Sequence, residues 1–166
     1  MRSRRIERRR PVDGRVASDP LEARSAALRL LARRDFASGE LRERLERRGF
    51  GPDVVSLTVT ELIEERALDD ARYVENYVAS HADRGEGPVK IGAELRARDL
   101  PANLIDAALA VVTDWHGRAR ALRIRKFGPE PPQEWAEQAR QARFLQYRGF
   151  SSDHIRLALG PEFDLD

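Results

Sequence analysis

The chain contains no cysteine, a single methionine, and only two lysines, Lys90 and Lys126, among its 30 basic residues. Without cysteine there is no disulfide framework, no thiolate metal site and no cysteine nucleophile. No run of about 18 apolar residues exists, so no segment is predicted to cross a membrane. The arginine-rich start lacks the apolar stretch that a secretory signal needs, so none is expected. A cytoplasmic location fits these absences.

Catalytic constellations are missing too. The Gly85-x-Gly87-Pro88 turn lacks a Lys-Ser/Thr ending and a preceding strand, so it is no phosphate loop. His81, His116 and His154 read as isolated, with no serine–histidine–acid order and no metal-ligand spacing. Asp69 and Asp70 have no third ligand at useful spacing, and an aspartate that caps a helix explains them better. The expectation is a protein that is not an enzyme and holds no cofactor or metal.

What is present is a repeat. The 166 residues are 41% hydrophobic and 35% charged, apolar enough to fold but rich in solvated surface. Stacked at a period of 50 residues, Leu45, Leu95 and Leu145 coincide. So do Arg48, Arg98 and Arg148; Phe50, Leu100 and Phe150; Val55, Ile105 and Ile155; and Val59, Leu109 and Leu159. A period of this length marks a modular array. Gly49 and Gly149, each followed by phenylalanine, predict left-handed helix stops in which the aromatic clasps Leu45 or Leu145. Asp99 replaces glycine in the middle copy, and aspartate tolerates that conformation. The arginine before each stop sits at the negative end of the helix dipole.

Helix starts follow each stop. Pro52 and Pro101 suit a first helical position, and Ser151 suits an N-cap. Residues 54–60 are rich in β-branched side chains, yet the apolar spacing of Val55, Val59 and Leu62 predicts a helix. A further helix precedes each pair, opened by Asp19-Pro20, Asp69 and Trp115. The prediction is an all-α protein of three tandem three-helix, helix-turn-helix-like repeats in an elongated, curved array. Their expected bounds are 20–66, 67–114 and 115–160, with a disordered basic arm over 1–17 and an acidic tail over 161–166.

Charge divides along these repeats. Residues 1–50 carry 15 basic against 8 acidic side chains, residues 51–116 carry 6 against 13, and residues 117–150 carry 8 against 3. Two basic regions around an acidic middle point to a polyanionic partner and a separate protein partner. In the first repeat the candidates are Arg44, Arg47 and Arg48, where Glu40, Glu43 and Glu46 offer local pairing. In the third they are Arg123, Arg125, Lys126, Arg140, Arg143 and Arg148, with Trp135 and Tyr147 nearby and few acids. A phosphate-binding role is the more credible there.

Three segments carry a family resemblance. Arg66 to Val74, "RALDDARYV", resembles the Leu-Asp-Asp-x-Arg-aromatic signature of the RecX family of recombinase regulators. The segment "RGEGPVKIGAELRARDL" resembles that family's Arg-x-x-Gly-x-x-x-Ile-x-x-Glu-Leu stretch, and "KF…RQARFLQYRGFSSDHI" resembles its C-terminal motif. The likeness runs from about Leu28 to Leu159. The family's usual glycine before Leu-Asp-Asp is Ala67 here. The resemblance implies three three-helix repeats and a partner, the RecA recombinase filament on single-stranded DNA, whose ATPase and strand exchange are inhibited. It places the chain in DNA repair, recombination and the SOS response, as a monomer, with double-stranded DNA a further polyanion it could contact. The motif residues Leu68, Asp69, Asp70, Arg72, Gly149 and Phe150 are read as structural. The alternative is a helix-turn-helix transcriptional repressor. Against it, the third helices carry Ser56, Thr60, Glu61, Glu64, Asn103 and Asp106 rather than arginines aimed at bases. A helical scaffold without DNA contact is a third possibility.

Overall fold

The computed structural model of the chain describes residues 19–160. The basic arm expected over 1–17 and the acidic tail expected over 161–166 lie outside the described residues.

Local chemistry starts each helix. Asp19 accepts the Leu21 N–H at 2.9 Å and opens α1 (Pro20–Leu31). Asp69 accepts the Arg72 N–H at 3.1 Å and opens α4 (Asp70–Asp83). Asp114 accepts the Gly117 N–H at 2.8 Å and opens α7 (Trp115–Phe127). These caps satisfy backbone donors that a helix start leaves without partners. The second helix of each trio is α2 (Ser38–Glu46), α5 (Pro88–Arg96) or α8 (Trp135–Tyr147). The third is α3 (Pro52–Glu64), α6 (Ala102–Val111) or α9 (Ser152–Leu159). In every trio the third helix packs against both of the others.

The β-branched run over 54–60 is helical, because Val55, Thr58, Val59 and Leu62 all fall on the buried face of α3. Pro101 sits one position earlier than expected, as the N-cap of α6.

The helix stops have the predicted geometry. Gly49 and Gly149 have φ of +93° and +89°. The Phe50 N–H reaches the Leu45 carbonyl at 3.3 Å, and the Phe150 N–H reaches the Leu145 carbonyl at 3.1 Å. The accompanying Gly49–Glu46 and Gly149–Gln146 bonds complete the Schellman motif. Asp99 takes the same left-handed turn at φ +56°, with its N–H on the Arg96 carbonyl at 3.0 Å. Arg66, at φ +58°, is a left-handed turn residue that its sequence does not advertise; it precedes the Ala67 at which the family's glycine is replaced.

The repeats do not keep three separate cores. One cluster of buried side chains belongs to α1–α3 and includes Leu68 from the linker that follows. A second, continuous cluster runs through α4–α9 and also takes in Ala37 from the start of α2. Repeats two and three therefore share their hydrophobic interior.

Two joints fix neighbouring repeats, each between the start of a second helix and the repeat that follows. At the first, Asp70 accepts from the Ser38 N–H at 2.7 Å and from the Ser38 hydroxyl at 2.6 Å. The α2 start has no side-chain cap of its own, so an aspartate of the next repeat supplies it. At the second, the Gly87 N–H donates to the Arg148 carbonyl at 2.7 Å, and the Val89 N–H donates to the Gly149 carbonyl at 3.0 Å. Backbone donors left open at the start of α5 thus meet acceptors left open at the end of α8.

That contact leaves no room for side chains. A Cβ at Gly87 would lie 2.2 Å from the Gly149 carbonyl oxygen, and one at Gly149 would lie 2.2 Å from the Lys90 Cβ. At Gly49 a Cβ would meet nothing within 4 Å. Gly49→Ala should therefore lose only the left-handed backbone cost, about 1–2 kcal/mol. Gly149→Ala should lose distinctly more, since it also pushes α5 away. Urea midpoints of the two variants check this, and equal losses would count against a tight joint.

Candidate functional site

The basic residues singled out by sequence meet different fates. Arg123 is 3% exposed and faces the loop between α7 and α8. Its guanidinium donates to the Glu130 carbonyl at 3.0 Å and to the Pro129 carbonyl at 3.1 Å, and lies 3.5 Å from the Gln141 side-chain oxygen. Burial, with Arg120 nearby, pulls its pKa below the ordinary arginine value. Arg148 donates to the Gly85 carbonyl at 3.0 Å and to the Arg84 carbonyl at 2.5 Å, so it caps the end of α4 across the repeat joint. The Arg123 guanidinium is closed to solvent, and that of Arg148 is half-buried. Arg123 and Arg148, read from sequence as interface residues, thus spend guanidinium donors on backbone carbonyls that hold the fold.

The others remain on the surface. Arg125 and Lys126 are exposed at the end of α7, and Arg143 is exposed on α8, where its Nε bonds the Ala139 carbonyl at 3.3 Å. Arg140 is exposed but held by Glu137 through two bonds of 2.9 and 2.8 Å, with its guanidinium 5.1 Å from the Phe127 ring centroid. In the first repeat Arg44, Arg47 and Arg48 are exposed. Arg47 pairs with Glu43 at 2.8 Å, and Arg44 lies 4.0 Å from Glu40, which Arg34 also engages. The helical pairing expected from sequence is thus present in that repeat, and it dilutes the positive face.

The Leu-Asp-Asp motif divides its labour. Leu68 is buried in the first core, Asp69 caps its own helix, and Asp70 caps α2 of the neighbouring repeat. Arg72 is exposed at the start of α4. Gly149 and Phe150 form the turn at the second joint, with Phe150 in the shared core.

The histidines, read as isolated, are not. His81 Nδ1 lies 2.7 Å from Glu86, and its ring stacks on Tyr77 with centroids 3.9 Å apart. Glu86 also accepts from Lys90 at 2.8 Å, while the Tyr77 hydroxyl bonds Glu94 at 2.5 Å. Burial works against the Glu86 charge, but the bonds from Lys90 and His81 outweigh it and hold its pKa below the usual carboxylate range. His81, Glu86 and Glu94 have ligand atoms within 4.8 Å of one another. The Lys90 ammonium lies 2.8 Å from Glu86 and 4.0 Å from Glu94, so a protein cation already occupies this acidic site. These partners come from α4, the loop after it and α5.

Among the described residues, the hydrogen bonds join no nucleophile to a base and its orienting acid. What the elements define is an all-helical protein of three tandem three-helix repeats, with exposed cations on its first and third repeats and an acidic second one. Among the described residues no helix is long and apolar enough to cross a membrane.

Comparison with known proteins names the family. Models of the first, second and third three-helix domains of RecX match residues 23–62, 69–109 and 117–159, in that order. The regulatory protein RecX of Halorhodospira halophila is 46% identical over 136 residues, covering 81% of this chain and 84% of the relative. That of Pseudomonas savastanoi pv. phaseolicola is 39% identical over 141 residues, covering 84% and 91%. The crystal structure of RecX from Lactobacillus salivarius superposes with a TM-score of 0.74 at 22% identity, over 84% of this chain and 93% of that one. The chain belongs to the RecX family of regulatory proteins.

One histidine has its pKa lowered by its surroundings. Ser151 and His154 form a capping box at the start of α9, in which the Ser151 N–H donates to His154 Nδ1 at 3.3 Å. The His116 ring stands edge-on at 4.7 Å, and Phe150 lies beyond at 6.2 Å. Burial first, then His116, lower the His154 pKa, with Asp153 opposing. A protonated Nδ1 cannot accept the Ser151 N–H. Since an unfolded histidine titrates near about 6.5, this site adds stability above that pH and loses it as pH falls toward the lower folded value. His154→Asn, which keeps an acceptor, should flatten the loss of thermal stability between about pH 7 and pH 5. An identical pH profile for the variant would remove His154 from the account.

Proposed function

We propose that the chain regulates the RecA recombinase filament on single-stranded DNA, lowering its ATPase and strand-exchange activity in DNA repair and recombination. It acts as a cytoplasmic monomer without a catalytic centre of its own. The observation that carries this reading is the ordered match of all three repeats to the RecX domains, on a chain whose charge is divided between them. Exposed Arg125, Lys126 and Arg143 in the third repeat, and Arg44, Arg47 and Arg48 in the first, suit a polyanion. The acidic second repeat repels DNA and suits a contact with the recombinase itself.

The helix-turn-helix repressor is disfavoured by the exposed side chains of the third helices. Those of α3 include Asp53, Leu57, Ile63 and Glu64, and those of α6 include Asn103 and Asp106. On α9 the arginine, Arg156, pairs with Asp153 at 3.5 Å. Helices that read a major groove carry arginine, asparagine or glutamine toward base edges, and this set is mostly acidic or apolar.

Titration of the chain into recombinase filaments on single-stranded DNA tests the proposal. DNA-dependent ATPase activity should fall at sub-stoichiometric amounts of the protein. Full ATPase and strand-exchange activity with the chain in excess would overturn it.

A further inference from the structure

The third repeat has a surface that filament regulation alone does not account for. Six side chains of α8 are exposed: Trp135, Ala136, Arg140, Arg143, Gln146 and Tyr147. None is acidic. The helix carries one carboxylate, Glu137, and it lies off this face, half-buried and bonded to Gln141 at 2.8 Å as well as to Arg140. Ala136, Arg140, Arg143 and Tyr147 follow one another at intervals of four, three and four residues, which aligns them in a single stripe. Trp135 flanks its start, and about 18 Å separates Trp135 from Tyr147 along the helix axis, at 1.5 Å per residue.

The two aromatic residues are unusual in this molecule. Trp135 is 77% exposed and Tyr147 is 82% exposed. Every other phenylalanine, tyrosine and tryptophan among the described residues is buried or half-buried. Tyr147 therefore lies in line with Arg143 on the exposed side of α8, and Trp135 borders that side about 120° round the helix from Tyr147. An exposed ring offers a flat apolar face with a polar edge to a partner. Arg143 holds no carboxylate among the described residues, its recorded bond being to the Ala139 carbonyl within the helix. Arg140 is set in position by Glu137 and Phe127. Beyond Tyr147, Gln146 stands on the rim of a cavity of about 350 Å³ walled by Val89, Phe150 and Ile155, with Ser151 and Ser152 at its edge.

We propose that this face of α8 is a stacking strip for single-stranded nucleic acid. Unpaired bases stack on Trp135 and Tyr147 while Arg143, assisted by Arg140, meets the phosphates between them. Flat rings alternating with cations are what a strand with exposed bases needs; a duplex hides its base faces and asks only for the cations. Charge complementarity selects nucleic acid over an acidic protein surface, because stacking then explains both rings. The proposal deepens the reading above and rests on it for the biological strand, but its test contains no recombinase, so the two can fail separately.

The chain offers its own probe. Trp115 is buried and bonded to the Leu109 carbonyl at 3.2 Å, so a change in emission on binding reports Trp135. Single-stranded oligothymidylate titrated into the intact chain at low salt should quench this emission to saturation. Trp135→Ala should abolish the quench, and Tyr147→Ala should weaken binding about tenfold, the ordinary cost of one lost stacking platform. Arg143→Ala should lower the salt slope by about 0.7. All three side chains are exposed, and far-ultraviolet circular dichroism confirms that the variants fold. Three results would overturn the proposal. One is undiminished affinity in both aromatic variants, which leaves binding to phosphate contacts alone. Another is equal quenching by a duplex of the same length. The third is no quenching by the free oligonucleotide at low salt, which leaves the face without a single-stranded ligand.

Discussion

Two hydrogen bonds between backbone groups, from Gly87 to the Arg148 carbonyl and from Val89 to the Gly149 carbonyl, set the frame on which the rest depends. They join the open donors at one helix start to the open acceptors at another helix end, across a gap too narrow for a Cβ on either side. Arg148 reinforces the same joint by capping α4, and the interior of repeats two and three is continuous behind it. The first repeat attaches by a related device, Asp70 on Ser38, which uses a side chain where the second joint uses backbone. The turn at Gly149 therefore does two things: it ends α8, and its outer surface receives the start of α5.

This frame separates structure from function in the charged residues. Arginine in the third repeat is spent in two ways. Arg123 and Arg148 donate to backbone carbonyls of the fold. Arg125, Lys126 and Arg143 face outward from helices whose positions those buried contacts hold. Three units that share their turns thus differ in the charge they expose. The middle repeat makes the point: it keeps the left-handed turn at Asp99 with a different residue, and its surface is acidic.

Local features were legible from sequence. Gly49, Asp99 and Gly149 announce their turns because the conformation is a property of a few adjacent residues, and Asp19, Asp69 and Ser151 announce caps for the same reason. Features that depend on distant neighbours were not. Arg148 looks like any cation at a helix end, and only the approach of α4 shows what it bonds. Arg123 lies in a run of basic residues that reads as solvated, and the fold of the following proline-rich loop buries it. Asp70 sits beside a true cap and serves a helix more than thirty residues earlier. His116 and His154, nearly forty residues apart in sequence, meet because α7 and α9 pack side by side. Leu68 belongs in space to the repeat before the one that its motif opens.

Native-state hydrogen exchange of the Gly87 and Val89 amides tests the joint most directly. If the turn after α8 accepts both, these amides, although at a helix start, should exchange as slowly as the core amides of α5 and α9. Gly149→Ala should release the two together. Exchange as fast as at an uncapped, solvent-facing helix start would contradict the account.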